Sequence, residues 1–106
     1  MNNFKVIYQI LKYLEEAMDF SEPDYEPIKS EALGLTEERW EAIIMMLLKD
    51  GYIEGVIVKD YIRQKKYISE FEPKITLKGL EYLNENGMMK KIVKAAKGIK
   101  DTIPGL

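Results

Sequence analysis

The most regular pattern of apolar and polar positions lies in residues 37–50, where apolar side chains recur every three or four residues. This spacing predicts a helix with one apolar face. Thr36 is a good N-cap for this helix, and Glu37 and Glu38 lie in its first turn, where the helix dipole favours negative charge. Gly51 follows the pattern and is suited to the left-handed conformation that ends many helices. The inward face is predicted to contain Trp40, Ile43, Ile44, Leu47 and Leu48.

Two helical patterns precede this central helix. Residues 4–18 predict an amphipathic helix, and residues 30–34 predict a short helix that Ser30 caps and Gly34 ends. Residues 19–27 contain two prolines and four acids, and they lack the glycine and the spacing of a calcium loop, so they predict a solvated loop. The inward stripe of the first helix is predicted to contain Phe4, Ile7, Ile10, Leu11, Leu14, Ala17 and Met18.

A β-hairpin is predicted after the central helix. Residues 52–62 are rich in β-branched and aromatic side chains, which is typical of a strand. The polar residues 63–66 predict the turn, and residues 67–76 predict the returning strand. Because Pro73 has no N–H to donate to a neighbouring strand, it predicts an edge position or a bulge.

Two more helices follow the hairpin. The first spans residues 77–86, where Thr76 is the expected N-cap and Gly79 predicts a close approach of the helix to the sheet. The second spans residues 88–101 and has a lysine-rich outer face. The predicted fold is therefore mainly α with a small antiparallel β-hairpin. It is a single winged helix-turn-helix domain over residues 1–106, ending in an amphipathic helix and a tail.

The composition argues against several classes of protein. The chain contains neither histidine nor cysteine, which excludes Ser-His-Asp and Cys-His catalytic sets and thiolate metal sites. It also has no glycine-rich phosphate loop. We therefore expect no enzyme, and no catalytic, cofactor-binding or metal-ligating residues. No apolar run approaches the roughly 20 residues that span a bilayer, and the N-terminus does not resemble a signal peptide, so a cytoplasmic location is expected.

Several short stretches form a distinctive combination: GYIEGV at residues 51–56, ITLKG at residues 75–79 followed by Tyr-Leu at 82–83, and NENG at residues 84–87. This combination resembles the YjcQ family, a small family of bacterial and prophage proteins with a winged-helix fold. The lysine-spaced segment that ends at residues 99–101 is similar too. The resemblance implies the fold, and it carries over no binding residues.

Charge is unevenly distributed along the chain. Residues 1–58 carry five Lys and Arg against twelve Asp and Glu, and residues 59–106 carry eleven against six, which together give the net charge of −2. A basic half indicates either contact with nucleic acid or a membrane surface, or simple complementarity with the acidic half of the same fold.

DNA binding is the function that the predicted fold favours. In helix-turn-helix proteins the third helix enters the major groove, and the wing can touch the DNA backbone. Here the central helix mixes acids and bases on its outer side, so it has no net attraction for phosphate. We therefore hypothesise a prophage-type regulator of double-stranded DNA that relies mainly on its wing, with weak base readout from the helix. The candidate DNA-binding residues are Arg39, Lys49, Lys59, Arg63, Gln64, Lys65 and Lys66.

The alternative hypothesis is a protein-interaction adaptor that binds no DNA. Methionine makes adaptable apolar contacts, and the pattern places Met45 on the outer face of the central helix. The amphipathic helix over residues 88–101 is a candidate homodimer contact, or it covers its own core. It lacks the Trp, Phe or Leu typical of membrane-surface helices. The predicted protein contacts are Glu38, Glu41, Ala42 and Met45.

Overall fold

A computed structural model describes residues 2–60 and 65–87 of the chain. Within these residues, helices come first, a two-stranded antiparallel sheet follows, and a further helix packs behind it. This is the winged-helix arrangement, so the predicted fold class is confirmed. The predicted helix over residues 88–101, with its dimer contact, lies outside the described residues. The elements are α1 (Asn3–Ala17), a 3₁₀ turn (Glu26–Ile28), α2 (Ser30–Leu33), α3 (Glu37–Lys49), β1 (Ile53–Asp60), β2 (Lys66–Ile75) and α4 (Leu77–Glu85).

Apolar side chains of α1, α3, α4 and the base of the hairpin form one buried core. The predicted inward face of α3 is confirmed, with Leu48 only partly buried. Burying a Val, Leu or Ile side chain stabilises the fold by about 1.5–3 kcal/mol, so this core holds α3 firmly against the base of the wing. The core consists of Val6, Ile10, Leu11, Leu14, Ile28, Trp40, Ile43, Ile44, Leu47, Ile53, Val56, Ile75 and Leu83.

The buried stripe of α1 differs from the predicted one at both ends. Phe4 is 71% exposed and Met18 is 61% exposed, so their predicted inward positions are wrong. The stripe is centred on Val6, Ile10 and Leu14, which are spaced four residues apart. At 3.6 residues per turn, Phe4 lies about 160° around the helix from Val6. Met18 follows the last helical residue and faces away from the core.

The acidic segment over residues 19–27 is better anchored than a solvated loop. Its C-terminal part enters the 3₁₀ turn, whose Ile28 is buried. The indole Nε1 of Trp40 donates to the Ile28 carbonyl oxygen at 2.8 Å. The hydroxyl of Tyr13 donates to the carbonyl oxygen of Asp24. These two side chains therefore tie the segment to α1 and α3.

Ser30 has a different role from the predicted N-cap. It is the first residue of α2, and the capping position is occupied by Lys29, whose side chain makes no capping hydrogen bond. The Ser30 hydroxyl instead donates to Oε1 of Glu37 at 2.8 Å. The prediction was wrong because Ser30 lies inside the helix, one position after the cap, and its hydroxyl donates to a carboxylate of the neighbouring helix.

The wing contains a bulge where the sequence pattern predicted one. The register of β1 and β2 shifts at Gly55, which lies opposite Glu72 and Pro73. Gly55 adopts φ +86°, and a Cβ there would collide with the carbonyl oxygen of Glu72. Only glycine fits this position without strain. The prediction that Pro73 lies in a bulge is thus confirmed, and the bulge increases the local twist at the base of the wing.

Thr76 joins α4 to the turn between α3 and β1. Its hydroxyl accepts from the N–H of Gly79 at 3.0 Å, which confirms the predicted N-cap. The same hydroxyl donates to the carbonyl oxygen of Gly51 at 2.6 Å, and the Thr76 N–H donates to the carbonyl of Tyr52 at 3.2 Å. One residue therefore ties the start of α4 to the turn between α3 and β1.

Lys78 and Gly79 complete this junction. The Lys78 ammonium donates to the carbonyl oxygen of Asp50 at 2.8 Å, where the C-terminus of α3 leaves acceptors unpaired, and it lies 5.0 Å from the centre of the Tyr52 ring. A Cβ on Gly79 would lie 2.5 Å from the carbonyl oxygen of Tyr52, so the predicted close approach is confirmed. The stretches GYIEGV and ITLKG thus contact each other and fix the wing relative to α3.

Candidate nucleic-acid interface

The solvent side of α3 presents Glu38, Arg39, Ala42, Met46 and Lys49, which we call the α3 face. All five residues are exposed, and Met46 is 50% exposed.

Met45 and Glu41 do not belong to the α3 face, because both are half-buried, as is Leu48 beside them. The outward position predicted for Met45 is therefore wrong, and Met46 takes its place. A helical wheel assumes that the rest of the protein covers both sides of the buried stripe to the same extent. In this structure the side that carries Met45 is covered further than the side that carries Met46, so Met46 is exposed.

The charges of the α3 face give little attraction for phosphate. Arg39 is partly engaged, because its Nη1 donates to Oδ1 of Asn3 at the start of α1, at 3.0 Å. The acids Glu37 and Glu38 lie in the same first turn. Lys49 is ten residues further on, about 15 Å along the helix axis from Arg39. The two predicted cationic contacts of α3 are thus not brought together.

The far end of the wing, which we call the wing tip, holds Lys59, Asp60, Lys65 and Lys66 among the described residues. All four are exposed. The antiparallel register places Asp60 opposite Lys66, whose Nζ lies 3.2 Å from Oδ1 of Asp60. This ion pair is exposed on both sides, so it leaves the Lys66 ammonium available to a phosphate at little cost. The structure therefore places three of the predicted cationic residues at the same end of the hairpin.

Charge changes sign along the length of the wing. The acids Glu54, Glu70 and Glu72 lie between the core and the wing tip, and all three are exposed. The predicted contacts Arg63 and Gln64 belong to residues 61–64, outside the described residues. By sequence, residues 61–64 contain one more cation, Arg63. A phosphate backbone would thus be attracted by the tip and repelled by the base.

Other kinds of site find no support in the described part of the chain. Residues 2–60 and 65–87 contain no group of three or more Asp or Glu side chains placed to hold a metal ion. None of the helices described has the length and apolarity that crossing a membrane requires.

Comparison with known proteins identifies the family of this chain. The family model described as "YjcQ protein" matches residues 8–102. The chain is similar to a protein of Bacillus subtilis (strain 168) named "Uncharacterized protein YjcQ", with 34% identity over 103 residues, which cover 97% of this chain and 99% of the relative. No solved structure matches the chain. With the family match and the relative both spanning nearly its whole length, this chain belongs to the YjcQ family.

Proposed function

We propose that this protein is a nucleic-acid-binding winged-helix protein, with a regulatory role, that contacts double-stranded DNA through its wing. The observation that carries the proposal is the segregation of charge in the wing. Lys59, Lys65 and Lys66 are exposed at the tip beside one acid, Asp60, while Glu54, Glu70 and Glu72 lie nearer the core. Lysines at an exposed tip can neutralise phosphates and release counterions, which supplies much of the affinity of such proteins.

The α3 face supports only a minor contribution to base readout. Specific readout in the major groove depends on bidentate donors such as arginine, asparagine and glutamine. Here Arg39 already donates to Asn3, and two acids share its turn. Binding in this arrangement depends on phosphate contacts and varies little with base sequence.

Salt dependence tests this proposal. Replacing Arg63, Lys65 and Lys66 together by glutamine should weaken binding to a fluorescein-labelled mixed-sequence duplex, because fewer phosphates are then neutralised. The slope of log K against log salt should become shallower by about 0.9 for each phosphate that no longer has a cationic partner. Fluorescence anisotropy between about 50 and 200 mM salt measures both the affinity and the slope.

A matched control distinguishes the effect of the wing cations from the effect of the protein's overall net charge. Replacing Lys5, Lys12 and Lys29 by glutamine makes the same change in net charge away from the wing. Lys5 and Lys12 lie on α1, and Lys29 directly precedes α2. This control should leave the salt slope unchanged. If the parent protein binds no duplex at about 50 mM salt, or if both triple variants weaken binding equally, the wing is not the contact surface.

A second candidate function is a protein-interaction adaptor, and the exposure of Met46 favours it. A flexible apolar side chain that is 50% exposed among Glu38, Ala42 and Lys49 suits an adaptable protein contact better than a DNA groove. Under this alternative, the α3 face binds a protein groove and the wing lysines are not required.

Met46→Lys tests the adaptor function. It should reduce capture of a partner by the full-length protein at least about tenfold, because burying an unpaired ammonium at an apolar contact costs more than the 1.4 kcal/mol that a tenfold change represents. The matched control is Leu77→Lys, since Leu77 is 73% exposed on a different helix. The partner should then be purified and its affinity for both variants measured. If the partner binds Met46→Lys and the parent protein with equal affinity, the α3 face is not the surface that contacts the partner.

A further inference from the structure

A cleft of about 690 Å³ lies between the end of α1, the segment that follows it and the base of the wing. Its floor is apolar and is formed in part by Leu14 of α1 and by Pro73 and Ile75 of β2. These residues belong to the buried part of the fold, so the floor is well supported. The cleft shares none of its lining with the wing tip or the α3 face.

Two large apolar side chains stand exposed at the wall of this cleft. Met18 is 61% exposed and Phe20 is 67% exposed, and both line it. Phe20 also lines a second concavity of about 310 Å³, together with Tyr13 and Ala17. The Phe20 ring therefore separates two adjoining depressions. Burying exposed side chains of this size against a partner is favourable by about 25 cal/mol per Å² of apolar surface.

The segment that carries Phe20 is anchored by Tyr25, which also lines the cleft. Tyr25 packs edge-to-face on Phe71 of β2, with ring centres 6.0 Å apart, and Phe71 in turn packs on Trp40 at 5.1 Å. Burial, together with the negative charge of Glu72, raises the pKa of Tyr25. A partner would thus meet a largely preformed surface, which lowers the entropic cost of binding.

The rim of the cleft is acidic. Among the described residues that line it, Glu22, Glu54 and Glu72 are exposed carboxylates, and Lys74 is a single cation. The adjoining depression adds Glu16 and Asp24 to the lining. This rim complements a cationic ligand and repels DNA, so the cleft is unsuited to the nucleic-acid contact proposed for the wing.

We propose that this acidic cleft is a docking site for a cationic amphipathic segment of a partner protein. Apolar side chains of that segment would pack on Met18 and Phe20, and its lysines or arginines would face Glu22, Glu54 and Glu72. A second copy fits this surface less well, because the whole chain carries 16 Lys and Arg against 18 Asp and Glu and so offers no net positive charge to the rim. The proposal does not depend on DNA binding.

The test uses the full chain and a defined probe, a fluorescein-labelled synthetic peptide of lysine and leucine with an amphipathic helical pattern. The same peptide with glutamate in place of lysine is the matched control, and it should not bind. Met18→Ser combined with Phe20→Ser should weaken binding of the lysine peptide at least about tenfold. Glu22→Gln combined with Glu72→Gln should weaken it about threefold to fivefold at low salt and flatten its salt dependence.

Matched variants elsewhere on the surface localise the effect. Phe4→Ser combined with Leu77→Ser removes apolar side chains that are equally exposed but do not line the cleft, and Glu31→Gln combined with Glu81→Gln removes two exposed acids. Both controls should change the affinity less than about twofold. Equal losses in the cleft variants and these controls, or no binding of the lysine peptide, would overturn the proposal.

Two further results would assign the cleft to another occupant and would also overturn the proposal. A solution mass that falls from dimer to monomer in the Met18→Ser, Phe20→Ser variant would assign it to a second copy. Tighter probe binding after the five lysines between residues 90 and 100 are replaced by glutamine would assign it to the C-terminal segment of the same chain.

Discussion

Replacing Trp40 by alanine should lower the free energy of unfolding by about 3–5 kcal/mol, the range found when large aromatic side chains are removed from cores. Trp40 is 6% exposed and packs on Phe71 of the wing, with ring centres 5.1 Å apart. Its Nε1 donates to the carbonyl oxygen of Ile28 at 2.8 Å. The variant thus loses apolar burial, an aromatic contact and a buried hydrogen bond together.

Urea unfolding followed by far-UV circular dichroism measures this effect, since the only tryptophan is removed. Trp40→Phe serves as the partial variant, because it keeps an aromatic ring but leaves the Ile28 carbonyl without its donor. It should lower the free energy of unfolding by about 1–3 kcal/mol, so an effect can be measured even if the alanine variant does not fold. A loss below about 1 kcal/mol for both variants would contradict the role assigned to Trp40.

Replacing Gly79 by alanine should destabilise the protein by about 2–3 kcal/mol, although alanine favours an isolated helix by about 1 kcal/mol. The added Cβ would lie 2.5 Å from the carbonyl oxygen of Tyr52 and 2.6 Å from Cγ1 of Ile75, well inside normal contact distance. Because both neighbours are held by the core and by the Thr76 junction, α4 has to move away from the sheet.

The matched control for Gly79→Ala is Glu81→Ala, an exposed position in the same helix. It should change the stability by less than about 0.5 kcal/mol. Urea unfolding of both variants under identical conditions gives the comparison. If Gly79→Ala instead stabilises the protein by the roughly 1 kcal/mol expected from helix propensity, α4 does not approach β1 as closely as the structure places it.

Most residues that carry the resemblance to the family lie in a structural junction and not on the surfaces proposed for binding. GYIEGV and ITLKG form the junction of α3, β1 and α4, where Thr76, Lys78 and Gly79 bond to or pack against Asp50, Gly51 and Tyr52. These six residues hold the fold together and line none of the surfaces proposed for binding, although Glu54 and Ile75 of the same two stretches line the acidic cleft. Similarity in this junction therefore indicates the winged helix but says little about which ligand the protein binds.

Local patterns in the sequence predicted most of the fold. The caps at Thr36 and Thr76 and the left-handed Gly51 at φ +83° depend on neighbouring residues in the chain, so they could be read directly. Pro73 predicted an edge position or a bulge because it has no N–H to donate. The core face of α3 also followed from its spacing, because a helix with one strong apolar stripe has only one stable way to face the interior.

The errors lie where exposure depends on what packs nearby. Phe4 and Met18 are apolar and close to helical register, yet both are exposed. Met45 and Met46 are adjacent and chemically identical, and only uneven cover on the flanks of α3 makes Met46 the exposed one. Ser30 is a good capping residue that bonds to Glu37 of the next helix instead. None of these outcomes is determined by local spacing.

The sequence by itself determined the order of the main elements, the caps at Thr36 and Thr76, the central core stripe and the family, because these depend on backbone propensities and on contacts within a few residues. The tertiary structure alone decided which surfaces remain available for binding. The acidic cleft is the clearest example, since Phe20, Glu54 and Glu72 come from separate segments that meet only after α1 packs against the base of the wing. Exposure and charge at such a surface are properties of the packed molecule, and no single segment of the chain contains them.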